Sequence, residues 1–299
     1  IFIGSKKIGF KALNVIYNSD PNKLKAIVTF DDSPDTRSTL EEFKEFSTRT
    51  KIDLFILNKS SELEEIISNI NPDICFLIGW YWIINEKILN MVPYGLVGIH
   101  GSLLPKYKGW APLVWPIING EKESGISLFY LDKDLDSGDI INQKKFQINV
   151  GDTIKDVLSK AEKLTEEILV EYCPLILNGS APRTEQKNEL SSYCSKRTPA
   201  DGRINWKDTN LNIYNFIRAQ SEPYPGAFCY TDNNQKIIIN KAKLFPYEYY
   251  GVPGLVVQIT EESAIVTCGK GAIIIEGIQT DTRQDKSIKE LFKKNQKLY

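Results

Sequence analysis

Short, nearly unbroken apolar runs alternate along the first half of the chain with longer stretches whose apolar residues recur at helical spacing. Ile1–Ile3, Leu24–Phe30, Leu54–Leu57, Ile74–Ile78 and Leu96–Ile99 read as strands buried on both faces. Between them, Phe10, Leu13, Val15 and Ile16 mark one helix, and Glu86 to Met91 a short one. The patterns Ser38-x-x-Glu41 and Ser61-x-x-Glu64 predict capping boxes that open two more. The first strand runs into Gly4-Ser-Lys-Lys-Ile-Gly9, a glycine turn without the G-x-G-x-x-G dinucleotide fingerprint. It reads as a tight turn, with phosphate binding the alternative. Strand–helix alternation of this kind predicts an α/β, Rossmann-like, doubly wound and mainly parallel sheet.

The pattern changes after Pro112. A helical piece reaches Asn119, a strand covers Gly125 to Leu131, and a polar loop from Asp132 to Asp139 carries four aspartates. Extended chain from Ile140 to Val150 precedes a helix N-capped by Asp152. Its apolar stripe (Ile154, Val157, Leu158, Ala161, Leu164, Ile168, Leu169) is the mark of a core helix. From Asn178 to Gly202 the chain is polar and aperiodic, so a linker is expected. A helix from Leu211 to Ala219 and short strands at 227–230, 236–240, 255–259, 264–267 and 272–276 then predict a small, partly open, OB-like β-barrel. The expected domains are residues 1–178, a linker at 179–202, and 203–299.

Composition narrows the function classes. The net charge of −1 excludes a global basic field for nucleic acid, and no apolar run is long enough to cross a membrane. Five scattered cysteines without Cys-x-x-Cys spacing point to reduced thiols in a cytoplasmic setting, with neither a disulfide frame nor a zinc site. Ile1 already stands in an apolar run, so a start Met or short leader is expected ahead of it, and no secretory signal is visible. The one histidine, His100, falls where the Leu96–Ile99 strand ends. That is the edge at which open α/β sheets bind ligands. The plain alternative is an imidazole that caps the strand and is satisfied by a backbone carbonyl.

The residues around His100 settle the direction. Ser102-Leu-Leu-Pro105, Tyr107-Lys-Gly109, Ala111-Pro112 and Leu135-Asp-Ser-Gly138 follow it, and Arg197-Thr-Pro199, Ile204-Asn-Trp206, Pro225-Gly-Ala-Phe228 and Pro253-Gly254 come later. This ordered series resembles the folate-dependent formyltransferase superfamily over most of the chain. Gly101-Ser-Leu-Leu-Pro-Lys-Tyr107 with Asn119-Gly-Glu121 is most similar to the nucleotide-sugar N-formyltransferases, such as UDP-4-amino-4-deoxy-L-arabinose formyltransferase. The resemblance implies transfer of a formyl group from 10-formyltetrahydrofolate to the amino group of a nucleotide-linked amino sugar. It gives His100 and Asp136 the catalytic roles, the imidazole stabilising the oxyanion and the carboxylate taking the amine's proton. The pterin is expected against Trp82, Ile83 and Ile84 and the backbone of Asp132, Lys133, Asp134 and Leu135. No metal is expected, since the aspartates of that loop read as solvated charges. A homodimer is among the expected assemblies.

Two departures from the family pattern stand out. Gly98 occupies the position of the family's Asn, which removes an amide donor to the formyl oxygen. Trp110 replaces an Arg of the arabinose enzymes. The first keeps open a non-catalytic folate- or nucleotide-sugar-binding homologue. A methionyl-tRNA formyltransferase is the other alternative. The stretch Asp31–Phe46, however, carries six acidic residues against Arg37 and Lys44, a poor surface for RNA phosphates. The barrel expected at 203–280 separates the chain from glycinamide ribonucleotide transformylases.

Overall fold

The computed structural model describes residues 1–299 apart from Pro34, Thr36, Arg283 and Asp285. The loop from Asp31 to Ser38 is therefore described without Pro34 and Thr36. In chain order the elements are β1 (Phe2–Gly4), α1 (Lys6–Ser19), β2 (Ala26–Phe30), α2 (Leu40–Thr50), β3 (Asp53–Leu57), α3 (Glu62–Ile70), β4 (Cys75–Ile78), α4 (Glu86–Asn90), β5 (Leu96–His100) and β6 (Lys108–Gly109). They continue with α5 (Val114–Ile118), β7 (Glu123–Tyr130), β8 (Ile140–Gln147), α6 (Ile154–Leu177), β9 (Tyr193–Cys194) and α7 (Asn210–Gln220). Last come β10 (Ala227–Tyr230), β11 (Lys236–Leu244), β12 (Val256–Ile259), β13 (Ala264–Thr267), β14 (Ala272–Thr280) and α8 (Ile288–Leu291).

A seven-stranded sheet runs β3-β2-β1-β4-β5-β7-β8. Its first five strands are parallel, and β5 pairs antiparallel with β7. The order reverses between β1 and β4, the switch at which doubly wound sheets open a ligand crevice. The apolar runs of β1, β2, β4 and β5 are almost wholly buried, as expected for strands covered on both faces.

Local chemistry moved some expected boundaries. Helix α1 begins at Lys6, not Phe10, and takes in Gly9 because a Cβ there would lie 2.8 Å from the Ile78 carbonyl. Lys6 itself is buried, its ammonium 2.6 Å from Asp32 and 3.0 Å from Asp35, so the glycine turn is an ion-paired corner rather than a phosphate cradle. Neither capping box forms. Thr39 caps α2 without a side-chain bond, while the Ser38 hydroxyl donates to the Asp32 carboxylate. Ser61 stands in helical conformation ahead of α3, and the Glu62 carboxylate accepts the Asn58 N–H instead.

The chain divides into two compact units that interleave along the sequence. The first comprises Ile1–Pro112, Ser124–Phe146 and Ser159–Cys194; the second Leu113–Glu123, Gln147–Leu158 and Ser195–Tyr299. Against the expected linker at 179–202, residues 179–194 belong to the first unit and 195–202 to the second. Thr184 bridges Ile140, and β9 pairs in parallel with β6.

The second unit is built on a five-stranded antiparallel sheet, β10-β11-β14-β13-β12. Its core holds Ile237, Ile239, Val266, Ile273 and Ile275, and α7 contributes Ile213 and Ile217. The residues at 295–299 reach both edge strands. Asn295 and Gln296 exchange backbone bonds with Val256, Leu298 donates to the Gly254 carbonyl, and Tyr299 and Tyr230 bond reciprocally at 2.8 Å. That tail bonds to both edges of the sheet, a feature no strand periodicity announced. Gly254, at φ 81°, lets the chain pass Trp206, where a Cβ would come within 3.1 Å of the indole.

Candidate active site

The end of β5 and the loop after β7 converge in the first unit. His100 pairs with Ser127 of β7, which fixes the strand end, and the residue is 7% exposed. Nδ1 lies 3.5 Å from Asp136 Oδ2. Nε2 lies 2.8 Å from the Tyr107 carbonyl, which can only accept, so Nε2 carries a proton there. One ring nitrogen thus meets a backbone carbonyl and the other faces a carboxylate. A doubly protonated ring would present an N–H to each acceptor.

Asp136 is held quite differently. It sits at φ 48°, left-handed for a residue with a side chain, and Oδ2 also accepts the Gly109 N–H at 2.8 Å. Oδ1 makes no hydrogen bond among the described residues and is the carboxylate's uncommitted atom. Tyr107 (φ 58°) and Ala111 (φ 51°) are left-handed too, so the loops that meet at the pair hold a cluster of unusual backbone. Gly138 is required two residues after Asp136, since a Cβ would come within 2.0 Å of the Tyr130 carbonyl.

The Ser102-Leu-Leu-Pro105 stretch shapes the loop between them. Ser102 Oγ donates to the Lys106 carbonyl at 2.6 Å. Ser127 Oγ donates to the Ser102 carbonyl and accepts from Leu104 N–H and Gln143 Nε2. Lys108 is 1% exposed, with Nζ 3.5 Å from Asn188 Oδ1 and 6.0 Å from the Tyr193 ring.

Of the residues expected at the pterin, Trp82–Ile84 follow β4 and Asp132–Leu135 follow β7. Trp82 packs on Phe30 (ring centroids 5.0 Å) and Trp80 (5.1 Å), and Trp80, Trp82, Ile84 and Leu131 all pack against one apolar cluster. Ile83 is 77% exposed, Tyr81 55% and Leu135 43%. Asp132, Lys133 and Asp134 are exposed, and their bonds are local: Lys133 N–H to Asp132, and Ser137 Oγ to the Asp134 carbonyl. His100 and Asp136 are brought together; no hydrogen bond or ring contact joins Trp82–Ile84 to Asp132–Leu135 among the described residues. No group of three or more metal-ligating side chains is placed to hold an ion among the described residues. Sequence reasoning read Tyr107 and Gly109 only as part of the family motif and missed Ser127, Gln186 and Ser192. Most act through backbone groups or long-range bonds, which leave no residue pattern.

Gly98 has a structural replacement. A Cβ there would meet Leu131 Cδ1 at 2.8 Å and the Leu77 carbonyl at 3.3 Å, so an apolar side chain lies close against the place an amide would start from.

A His–carboxylate pair therefore stands where one strand of a doubly wound sheet ends. The formyl transferase family model matches residues 15–173, and that of the formyl transferase C-terminal domain matches 196–296. The chain belongs to the formyl transferase family and is a formyl-transfer enzyme. It is 36% identical over 275 residues to the bifunctional polymyxin resistance protein ArnA of Wigglesworthia glossinidia brevipalpis, covering 91% of this chain and 40% of that protein. It is 28% identical to the methionyl-tRNA formyltransferase of Acetivibrio thermocellus, covering 97% and 94%. Among solved structures it is similar to WlaRD, a sugar 3N-formyl transferase crystallised with dTDP and 5-N-formyl-THF (26% identity, 97% of each chain, TM-score 0.68). It is also similar to the N-formyltransferase from Helicobacter canadensis in complex with folinic acid and dTDP-3-aminofucose (25% identity, 92% and 97% covered, TM-score 0.68).

Proposed function

We propose that this enzyme moves a formyl group from 10-formyltetrahydrofolate to the amine of a nucleotide-linked amino sugar, with His100 and Asp136 as its catalytic residues. The 3.5 Å approach of those two side chains at the sheet edge carries the reading. The folate ligands of the two related structures, with dTDP in one and dTDP-3-aminofucose in the other, support it.

The first unit suits such a donor. Ile83 and Leu135 expose apolar surface, and Trp82 packs on Phe30 and Trp80, so a flat heterocycle would cover groups that water solvates poorly. Trp82, Ile83, Ile84 and the Asp132–Leu135 backbone would hold it. When bound, the donor supplies an activated formyl carbon.

The remaining chemistry belongs to the chain. As the amine adds, negative charge develops on the formyl oxygen, and an N–H of His100 stabilises it. To reach that oxygen, Nε2–H gives up or shares its bond to the Tyr107 carbonyl. Asp136 would take the amine's proton at Oδ1, because Oδ2 is committed to Gly109 and His100, and would return it to the donor's nitrogen as the bond from that nitrogen to the formyl carbon breaks. Gly98 supplies no side-chain amide, so the oxyanion rests more heavily on the imidazole than in a family member with Asn.

A methionyl-tRNA substrate is the second reading, favoured by the 28% identity across 94% of such an enzyme. The acidic stretch after β2 opposes it. A cytoplasmic location accords with five free, buried cysteines, and no helix among the described residues is long and apolar enough to cross a membrane. The expected homodimer is read by light scattering. The experiment that decides the substrate is formyl transfer onto a panel of dTDP- and UDP-linked 3-amino and 4-amino sugars and onto methionyl-tRNA. Turnover with an amino sugar supports the proposal; turnover confined to the tRNA overturns it.

A further inference from the structure

The aperiodic segment before β9 touches both loops of the catalytic pair. Gln186 is 5% exposed, and its Nε2 donates to the Asp136 carbonyl at 2.9 Å and the Gly138 carbonyl at 2.8 Å. One amide therefore spans the two ends of the turn that carries the carboxylate. The Asp136 backbone is left-handed, a state that a residue with Cβ keeps where its surroundings over-determine it. Gln186 Oε1 is buried without a hydrogen bond, so the amide is committed to this bridge through its NH2 alone. A side chain present for packing would have no use for that amide.

The same segment reaches the His100 side. The Ser192 carbonyl accepts the Lys108 N–H at 2.8 Å, fixing the peptide unit whose carbonyl, that of Tyr107, faces His100 Nε2. Ser192 Oγ accepts the Tyr107 N–H at 2.9 Å, and the Cys194 carbonyl accepts the Trp110 N–H at 3.2 Å. Both supports of the pair thus lead back to residues 186–194.

We propose that Gln186 is a positioning residue for formyl transfer, holding the turn that aims the Asp136 carboxylate at His100. The proposal rests on the assignment of His100 and Asp136 as the catalytic pair. A bond network that sets a reacting group's position acts on kcat, because displacing such a group by about an ångström costs up to about 100-fold.

The test uses the full chain with 10-formyltetrahydrofolate and the best amino-sugar acceptor. Gln186→Met keeps the volume and removes both bonds. Its kcat should fall about 10- to 100-fold while both KM values stay within about threefold, the mark of a loss confined to the transition state. Gln186→Glu adds a pH readout that packing alone would not move. The introduced carboxyl faces two carbonyl oxygens in a buried site, so its neutral form, which can donate one bond, is favoured as pH falls. Its kcat relative to the parent should therefore rise from about pH 8 to about pH 6, while the ratio for Gln186→Met stays flat. Parental kcat in folded Gln186→Met, or a pH-independent ratio for Gln186→Glu, overturns the proposal. If Gln186→Met does not fold, the Gln186→Glu profile decides alone. His100→Asn separates the two levels: parental turnover there removes the catalytic assignment, whereas lost turnover there with parental kcat in Gln186→Met removes only the positioning role.

Discussion

His100 and Asp136 are held by opposite means. His100 ends a regular strand, and the ladder pairs Ile99–Leu128 and His100–Ser127 fix its backbone whatever its side chain does. Asp136 lies in a loop with left-handed backbone, and its position depends on single bonds from Gly109 and Gln186. A ladder shares its load over many contacts, whereas a pinned turn fails with one. Substitutions behind the histidine should therefore act on stability, and substitutions behind the aspartate on rate.

Asp136→Asn tests the rate side most strongly. The amide keeps the shape but loses the charge and the proton-accepting oxygen, so kcat should fall about 100-fold or more, with melting temperature nearly unchanged. A small loss in steady-state kinetics would move the base elsewhere.

Ser127→Ala probes the strand side. It strips a fully buried hydroxyl that bonds the Ser102 carbonyl, Leu104 N–H and Gln143 Nε2. Leaving those groups unsatisfied should cost about 2–3 kcal/mol in denaturant unfolding. By the contrast above, kcat should stay within about threefold, since the ladder still fixes His100.

Gly98→Asn adds bulk to β5, the strand that carries His100. Its Cβ would crowd Leu131 Cδ1 and the Leu77 carbonyl, which predicts a loss of about 1–2 kcal/mol. Combining it with Leu131→Ala should restore room. Higher turnover in the double variant would show that a family-type amide still improves this site.

The smallest effect concerns the corner at Lys6. The Arg37 guanidinium first, and Lys6 after it, hold the Asp35 carboxyl well below its ordinary value of 3.8, against a smaller opposing push from burial. That contribution to stability is complete above the ordinary value and is lost as pH falls below it toward the lowered one. Asp35→Asn should therefore flatten the acid limb of stability below about pH 4 and leave the neutral range little changed.

Much of this architecture was legible from residue patterns. The strands of the parallel sheet announce themselves because both of their faces are apolar, and His100 is conspicuous as a lone imidazole where such a run stops. Asp136 was reached only through family resemblance, since the loop has four aspartates and nothing local to choose among them. Gln186 could not be read at all. Its acceptors lie 50 and 48 residues away, and the surrounding segment has no period, so it looked like a linker. The tail that bonds to β10 and β12 was hidden for a similar reason: its bonds are backbone bonds, available to almost any sequence.

The central claim is that one imidazole and one carboxylate perform the transfer. The most direct measurement is single-turnover formyl transfer by His100→Asn, read by mass of the amino-sugar product, alongside its melting curve. The account predicts a loss of about 1000-fold or more with the fold retained. Product formed at the parental rate by a folded His100→Asn protein would contradict it.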